Sequence, residues 1–149
     1  MISSAEITRK LRERGIRLTM QRRMVIETLC EHHDHLLIPT IQQFLHEQGA
    51  ELNETTIYRI LQWLKDLGIV SQTDLGQRGI VYQLIDEEPH HHLVCLVCGK
   101  LIDVDNSLFV PLSDYLRHEY GFEPRIDHMA IFGMCQDCQR KNSPDAQPE

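Results

Sequence analysis

Asn53-Glu54-Thr55-Thr56-Ile57-Tyr58-Arg59-Ile60-Leu61-Gln62-Trp63-Leu64-Lys65-Asp66-Leu67-Gly68 places its apolar residues at helical intervals. Ile57, Ile60, Leu61, Leu64 and Leu67 follow an i, i+3, i+4, i+7, i+10 pattern, the stripe of a helix buried on one side. Asn53 stands where its side chain can cap the first turn, and Gly68 ends the segment. Upstream, the same reading gives three shorter helices. Ile7 and Leu11 lie one turn apart, and Gly15 closes the first. Thr19 caps a second, in which Val25, Ile26 and Leu29 share a face. Pro39 sits in the first turn of a third, with Ile41, Phe44 and Leu45 inward and Gly49 as its stop.

Downstream the period changes. Ile69-Val70 leads a short strand, Gly76-Gln77-Arg78-Gly79 turns, and Ile80-Val81-Tyr82-Gln83-Leu84 returns. Helix, turn, helix and hairpin outline a winged helix-turn-helix, and the turn at 49–52 has a suitable length. Asp86-Glu87-Glu88-Pro89 is the one hinge-like stretch. The expectation is therefore residues 1–84 as a winged-helix domain, 85–89 as a hinge, and 90–141 as a second domain. A polar tail at 142–149 with two prolines is expected to be disordered. In the second domain we expect a strand over 93–97, a continuation over 101–104, a helix over about 110–119 with Leu112, Tyr115 and Leu116, and a last strand over 128–132.

The 149 residues are 42% hydrophobic and 25% charged, ordinary values for a folded soluble protein. The longest apolar run, Leu93 to Cys98, falls far short of the roughly 18 residues a membrane span needs. No basic-then-apolar leader opens the chain, so the expectation is a cytoplasmic protein without a membrane segment. The net charge of −7 argues at first against nucleic acid. Its distribution reverses that. Residues 1–24 hold seven basic side chains (Arg9, Lys10, Arg12, Arg14, Arg17, Arg22, Arg23) against Glu6 and Glu13, and the whole deficit falls after residue 84. Phosphate binding needs a local positive field, not a positive total.

Cys95-x-x-Cys98-Gly99 and Cys135-x-x-Cys138 have the spacing of a four-thiolate zinc site. Two intervening residues let one tight turn aim both sulfurs at a single ion. Such a cage leaves no open position, so it staples the fold rather than catalysing. Cys30, on the second helix, reads as core. Nine histidines are many for this length, and His90-His91-His92 directly precede the first cysteine pair. In an extended segment His90 and His92 face one way and His91 the other. Asp103 on the continuing strand, Gln83 at the end of the hairpin, and His32, His33 and His35 between the second and third helices complete a possible nitrogen/oxygen donor set. On composition alone, a solvated histidine run or one that buttresses the cysteine turn remains an equal alternative.

Four stretches together resemble the ferric uptake regulator superfamily of bacterial metalloregulators. They are Gly15-Ile-Arg-Leu-Thr-Met-Gln-Arg22, Glu54-Thr-Thr-Ile-Tyr-Arg-Ile-Leu-Gln-Trp-Leu64, His90-His-His-Leu-Val-Cys-Leu-Val-Cys-Gly-Lys100 and Ile131-Phe-Gly-Met-Cys-Gln-Asp-Cys138. The resemblance implies an α+β fold: an N-terminal winged helix-turn-helix and a small C-terminal α/β dimerisation domain holding the four-cysteine zinc site. It implies a cytoplasmic homodimer, not an enzyme, that binds AT-rich inverted repeats in double-stranded DNA when a regulatory metal is loaded. Such regulators usually repress genes of metal homeostasis or peroxide stress. Tyr58 and Arg59 match recognition-helix residues that touch DNA, and Arg17 a basic residue that reaches the minor groove. Cys95, Cys98, Cys135 and Cys138 match the structural zinc ligands. His35, Gln83, His90, His92 and Asp103 match the regulatory set, with His33 the alternative to His35.

Gln83 departs from the family, which usually supplies Asp, Glu or Cys there; Glu87 and Glu88 are the substitutes nearby. A further family site keeps two matching ligands, His91 and His128, but Pro89 and Phe109 or Val110 fill the others. Such a set without cysteine suits Fe(II) or Mn(II), with Zn(II) and Ni(II) open. Two rival readings are a mononuclear metal hydrolase built on His90, His92 and Asp103, and a zinc-ribbon module that binds protein.

Overall fold

The structure, a computed structural model, describes residues 2–85 and 89–142. Most of the expected hinge, with Glu87 and Glu88, and all but the first residue of the expected tail lie outside the described residues. Four helices open the chain: α1 (Ser4–Glu13), α2 (Met20–Glu31), α3 (Ile38–Glu47) and α4 (Glu54–Asp66). Their caps are the ones expected. Thr19 Oγ1 accepts from the Arg22 N–H at 3.3 Å and Asn53 Oδ1 from the Thr56 N–H at 2.8 Å. Pro39 lies in the first turn of α3, and Gly49 follows that helix with φ +82°, a conformation open mainly to glycine. Asn53→Ala should cost about 1 kcal/mol of stability, read from the urea midpoint of the intact protein.

Strands β1 (Val70–Asp74) and β2 (Ile80–Leu84) form a two-stranded hairpin around a 3-10 turn at Gly76–Arg78. The chain divides into two compact units, Met1–Gln72 with Val81–Glu87 and Thr73–Ile80 with Glu88–Glu149. The far half of the hairpin thus groups with the second unit, whereas the expected division kept residues 1–84 whole. A contact inside the second unit accounts for the difference: buried Thr73 hydrogen-bonds His128.

The first unit buries the stripe of α4 (Ile57, Ile60, Leu61 and Leu64) against Ile7, Leu11, Val25, Ile26, Leu29, Ile41 and Leu45. Cys30 packs on the edge of this core, and burial together with Glu27 and Glu31 pushes its thiol up to about 11. Arg22 lies 3.9 Å over the Trp63 ring, a cation–π contact. Between α2 and α3, Leu36 pairs antiparallel with Tyr82 through N–H to O bonds of 3.0 and 2.8 Å.

The second unit has β3 (His90–Cys95), β4 (Leu101–Asp105), α5 (Val110–Tyr120), β5 (Ala130–Gly133) and α6 (Gln136–Asn142). Its sheet runs β4-β3-β5, with β4 antiparallel and β5 parallel to β3. Two expected strands move. β3 begins at His90 rather than Leu93, because His90 to Val94 all pair with β4, and it ends at Cys95, where the cysteine turn leaves the sheet. β5 begins at Ala130 rather than His128. The Met129 backbone just before it is engaged by His92 N–H and by the His91 ring. α6 was not expected, since Gln-Asp-Cys-Gln-Arg-Lys-Asn carries no apolar stripe. Among described residues α5 buries none of its side chains, so Leu112 and Tyr115 lie on an open face.

Candidate metal centres

Cys95 ends β3 and Cys98 follows in the turn, whose Gly99 N–H returns to the Cys95 carbonyl at 2.9 Å. Cys135 precedes α6 and Cys138 lies in its first turn. The parallel register of Cys95 with Gly133 brings the two pairs together. All four Sγ atoms lie within 4.8 Å of one another and none is in a disulfide. Cys98 and Cys135 sulfurs are 3.7 Å apart. A disulfide would need about 2.05 Å; zinc–sulfur bonds of about 2.3 Å in a tetrahedron set sulfurs about 3.8 Å apart. The four residues therefore fit zinc.

The electrostatics agree. Backbone N–H groups of Cys135, Cys98 and Val97 point at the Cys95 sulfur and hold its pKa down at about 6, despite burial. The Cys135 sulfur and burial push Cys138 up to about 12. One thiolate forms readily here; four need a cation among them.

The second cluster is made of imidazoles. His90, His92 and His128 each place a ring nitrogen within 4.8 Å of the others. His92 Nε2 is 2.6 Å from His128 Nε2, and His92 Nδ1 is 2.7 Å from Asp103 Oδ1. His92 is 1% exposed. His91 turns to the opposite face, as the strand alternation predicts. It is fully buried: its Nδ1 accepts from the Met129 N–H at 3.1 Å, its Nε2 meets Asn106 Oδ1 at 3.0 Å, and its ring rests on Phe109.

Two sequence expectations change. His91 and His128 do not come together as a pair; His128 joins His90 and His92, and His91 is satisfied inside the fold. Asp103 stands behind His92 as its hydrogen-bond partner rather than among the converging nitrogens. In the first unit, Asp34 Oδ1 accepts the His35 N–H at 2.7 Å. Gln83 Oε1 is buried and, among the described residues, has no hydrogen-bond partner. A buried amide oxygen left so costs about 1–3 kcal/mol, and a metal ion is one way to satisfy it. His33, the alternative, lies in the same loop and is exposed, whereas His35 is half-buried.

The expected DNA residues are all on the surface. Tyr58 is 47% exposed and Arg59 is exposed beside it, on the side of α4 away from Ile57 and Leu61; Arg17 is exposed after α1. Arg12, Arg17 and Arg23 line one open concavity of about 540 Å³. Arg12 and Arg23 were not singled out beforehand, although the basic excess in residues 1–24 contains both.

Comparisons with known proteins place the chain in one family. Residues 13–132 match the Ferric uptake regulator family. The ferric uptake regulation protein of Neisseria gonorrhoeae is 30% identical over 134 residues, 89% of this chain and 92% of that protein. The peroxide-responsive repressor PerR of Staphylococcus aureus (strain Mu50) is 30% identical over 131 residues, 88% of each. The crystal structure of the Vibrio cholerae ferric uptake regulator superposes with a TM-score of 0.62 at 25% identity, covering 87% of this chain and 99% of that one. With matches of that extent, and with the four cysteines gathered as a zinc site requires, the chain belongs to the ferric uptake regulator family.

Proposed function

We propose that the chain is a metal-responsive transcriptional regulator, acting as a homodimer on double-stranded DNA, in the main as a repressor of metal-homeostasis or peroxide-stress genes. One observation carries the reading: two clusters of opposite donor chemistry in a chain that also presents Tyr58 and Arg59 on an open helix face. The all-thiol cluster is closed and suits structural zinc through Cys95, Cys98, Cys135 and Cys138. The imidazole cluster suits an exchangeable second divalent ion, with Fe(II) or Mn(II) ahead of Zn(II) and Ni(II). Non-catalytic action in the cytoplasm follows from the same reading. No helix among the described residues is long and apolar enough to cross a membrane.

In this proposal residues 1–84 bind DNA and 90–141 dimerise. The open apolar face around Leu108, Val110, Leu112, Tyr115 and Phe122 supports a second copy as its cover. His35 and Gln83 would offer donors from the first unit, and His90 and His92, braced by Asp103, from the second. A bound ion supplies a positive centre for both sets of donors, so loading narrows the orientations the two units can take. In a dimer that orientation sets the spacing of two α4 helices, which must meet half-sites about 34 Å apart. Tyr58 would press on a thymine methyl, Arg59 would reach a base edge or phosphate, and Arg17 would enter a narrow AT-rich minor groove.

The test is to select an operator from random duplexes and measure metal content and DNA affinity together. Fe(II), Mn(II), Zn(II) and Ni(II) are added separately to zinc-loaded protein. Affinity should rise only as the second ion binds; an affinity indifferent to all four ions rules the reading out. Arg17→Ala should make the plot of log affinity against log salt less steep by about one unit, by fluorescence anisotropy.

A further inference from the structure

We infer that Arg12 and Arg23, with Arg17, form a clamp for the DNA phosphate backbone, a contact that adds affinity without reading sequence. It deepens the DNA-binding reading above and rests on it.

The seven basic side chains of residues 1–24 divide by what they touch. Arg9 pairs with Glu13 at 2.7 Å and Lys10 with Glu6 at 3.1 Å, which uses both acids of the segment. Arg14 donates to the Leu67 carbonyl at 3.5 Å, and Arg22 covers the Trp63 ring. Arg12, Arg17 and Arg23 are the remainder. Each is exposed, and none pairs with a carboxylate among the described residues. All three line the one concavity, and its lining holds no Asp, Glu or aromatic side chain.

Helix α2 makes the grouping less favourable still. Its first turn carries no acid, and Arg22 and Arg23 stand within its first four residues, near the positive end of the helix dipole. The first turns of α1 and α4, by contrast, carry Glu6 and Glu54. Cations so placed repel one another and the helix end in the free protein; an anion held among them reverses the sign. A guanidinium fork meets phosphate oxygens with two parallel N–H bonds. No ring in the lining can stack on a base, so the concavity suits the diester chain of a duplex rather than a free nucleotide. Arg22, next to Arg23, is held over Trp63, so α2 carries the clamp at a set distance from α4. Every member lies in the first unit. The clamp therefore acts with or without the second metal, and metal loading multiplies an affinity it already supplies.

The experiment titrates full-length, zinc-loaded protein, with and without Mn(II), onto the selected operator and onto a random-sequence duplex across a range of KCl, by fluorescence anisotropy. Arg12→Ala and Arg23→Ala should each flatten the plot of log affinity against log salt by about one unit, and together by about two. At roughly 0.1 M salt each should weaken binding by about five- to tenfold, by the same factor on both duplexes and in both metal states. Arg12→Lys and Arg23→Lys should restore the slope. Arg23→Ala should not lower the urea midpoint, because it removes a cation from the start of α2. Tyr58→Ala sets the contrast, costing affinity on the operator alone with the slope unchanged. If the Arg12 and Arg23 variants keep wild-type slope and affinity while Arg17→Ala and Arg59→Ala weaken operator binding, the clamp is wrong and the DNA-binding reading stands. A loss confined to the operator would mean base reading, and would overturn the clamp as well. So would calorimetry in which inorganic phosphate or adenosine monophosphate binds through Arg12 and Arg23 while DNA affinity ignores both residues. If the wild type binds neither duplex at any salt, the DNA-binding reading itself falls.

Discussion

Cys95→Ser should leave the second unit without zinc and unfolded, while the helices of the first unit persist. The reason is how little apolar material closes that unit. Among its described residues only Leu75, Val94, Phe109, Cys95 and Cys138 are buried hydrophobics; the other buried side chains are Thr73, His91 and His92. Two of those five are the zinc ligands themselves. The first unit, by contrast, has a continuous core across four helices and the base of the hairpin. Structural zinc contributes an apparent ~10–16 kcal/mol in small zinc-finger peptides, as large as the ~5–15 kcal/mol that holds a whole domain together. Serine offers a hard, weakly acidic oxygen in place of the thiolate that the backbone N–H groups hold near pKa 6. Zinc content should fall, β-sheet signal should go, and sedimentation should show loss of the dimer. Chelating zinc from the wild type should do the same. A zinc-free variant that remains an intact dimer would show that these cysteines do not close the fold.

The elements that could be read in advance are those whose signal is local. The α4 stripe, the Asn53 and Thr19 caps and the Gly76–Gly79 turn each declare themselves within a few residues. The cysteine cage was legible for a related reason: each half is a four-residue turn, and only one meeting of the halves serves an ion. The histidine site was only half legible. Alternation along β3 separates His91 from His90 and His92. No local pattern tells which of them His128 will meet, because that depends on the parallel pairing of β5 with β3. Thr73 was invisible for the same reason, since a lone threonine in a strand has no sequence mark of a partner 55 residues on. Asp103 was placed opposite His92 from the sequence, and its carboxylate meets the His92 ring at Nδ1. Register set it opposite His92, and register alone does not decide whether a carboxylate meets the ion or the ring behind it.

Replacing both His90 and His92 by alanine should make DNA binding indifferent to the second metal while leaving the zinc cage filled. The two imidazoles lie on the same face of β3, three and five residues before Cys95, yet they serve a different cluster from the one that closes the sheet. Metal per chain should therefore drop from two to one, and far-ultraviolet circular dichroism should hardly change. An allosteric coupling of ~1–3 kcal/mol corresponds to roughly 5–150-fold in affinity, and that whole increment should vanish from the anisotropy titration. Because His92 is buried, a His92→Asn version with His90→Ala is the control for a packing defect; it should lose the metal response as well. The weak binding that remains should keep the wild-type salt dependence, since Arg17, Tyr58 and Arg59 are untouched. A double variant whose affinity still climbs when Fe(II) or Mn(II) is added would show that the response is transmitted without these histidines. The opposite failure, a variant that binds DNA tightly with no second metal, would mean that the histidines restrain an already competent form. The metal would then relieve that restraint rather than create the binding state.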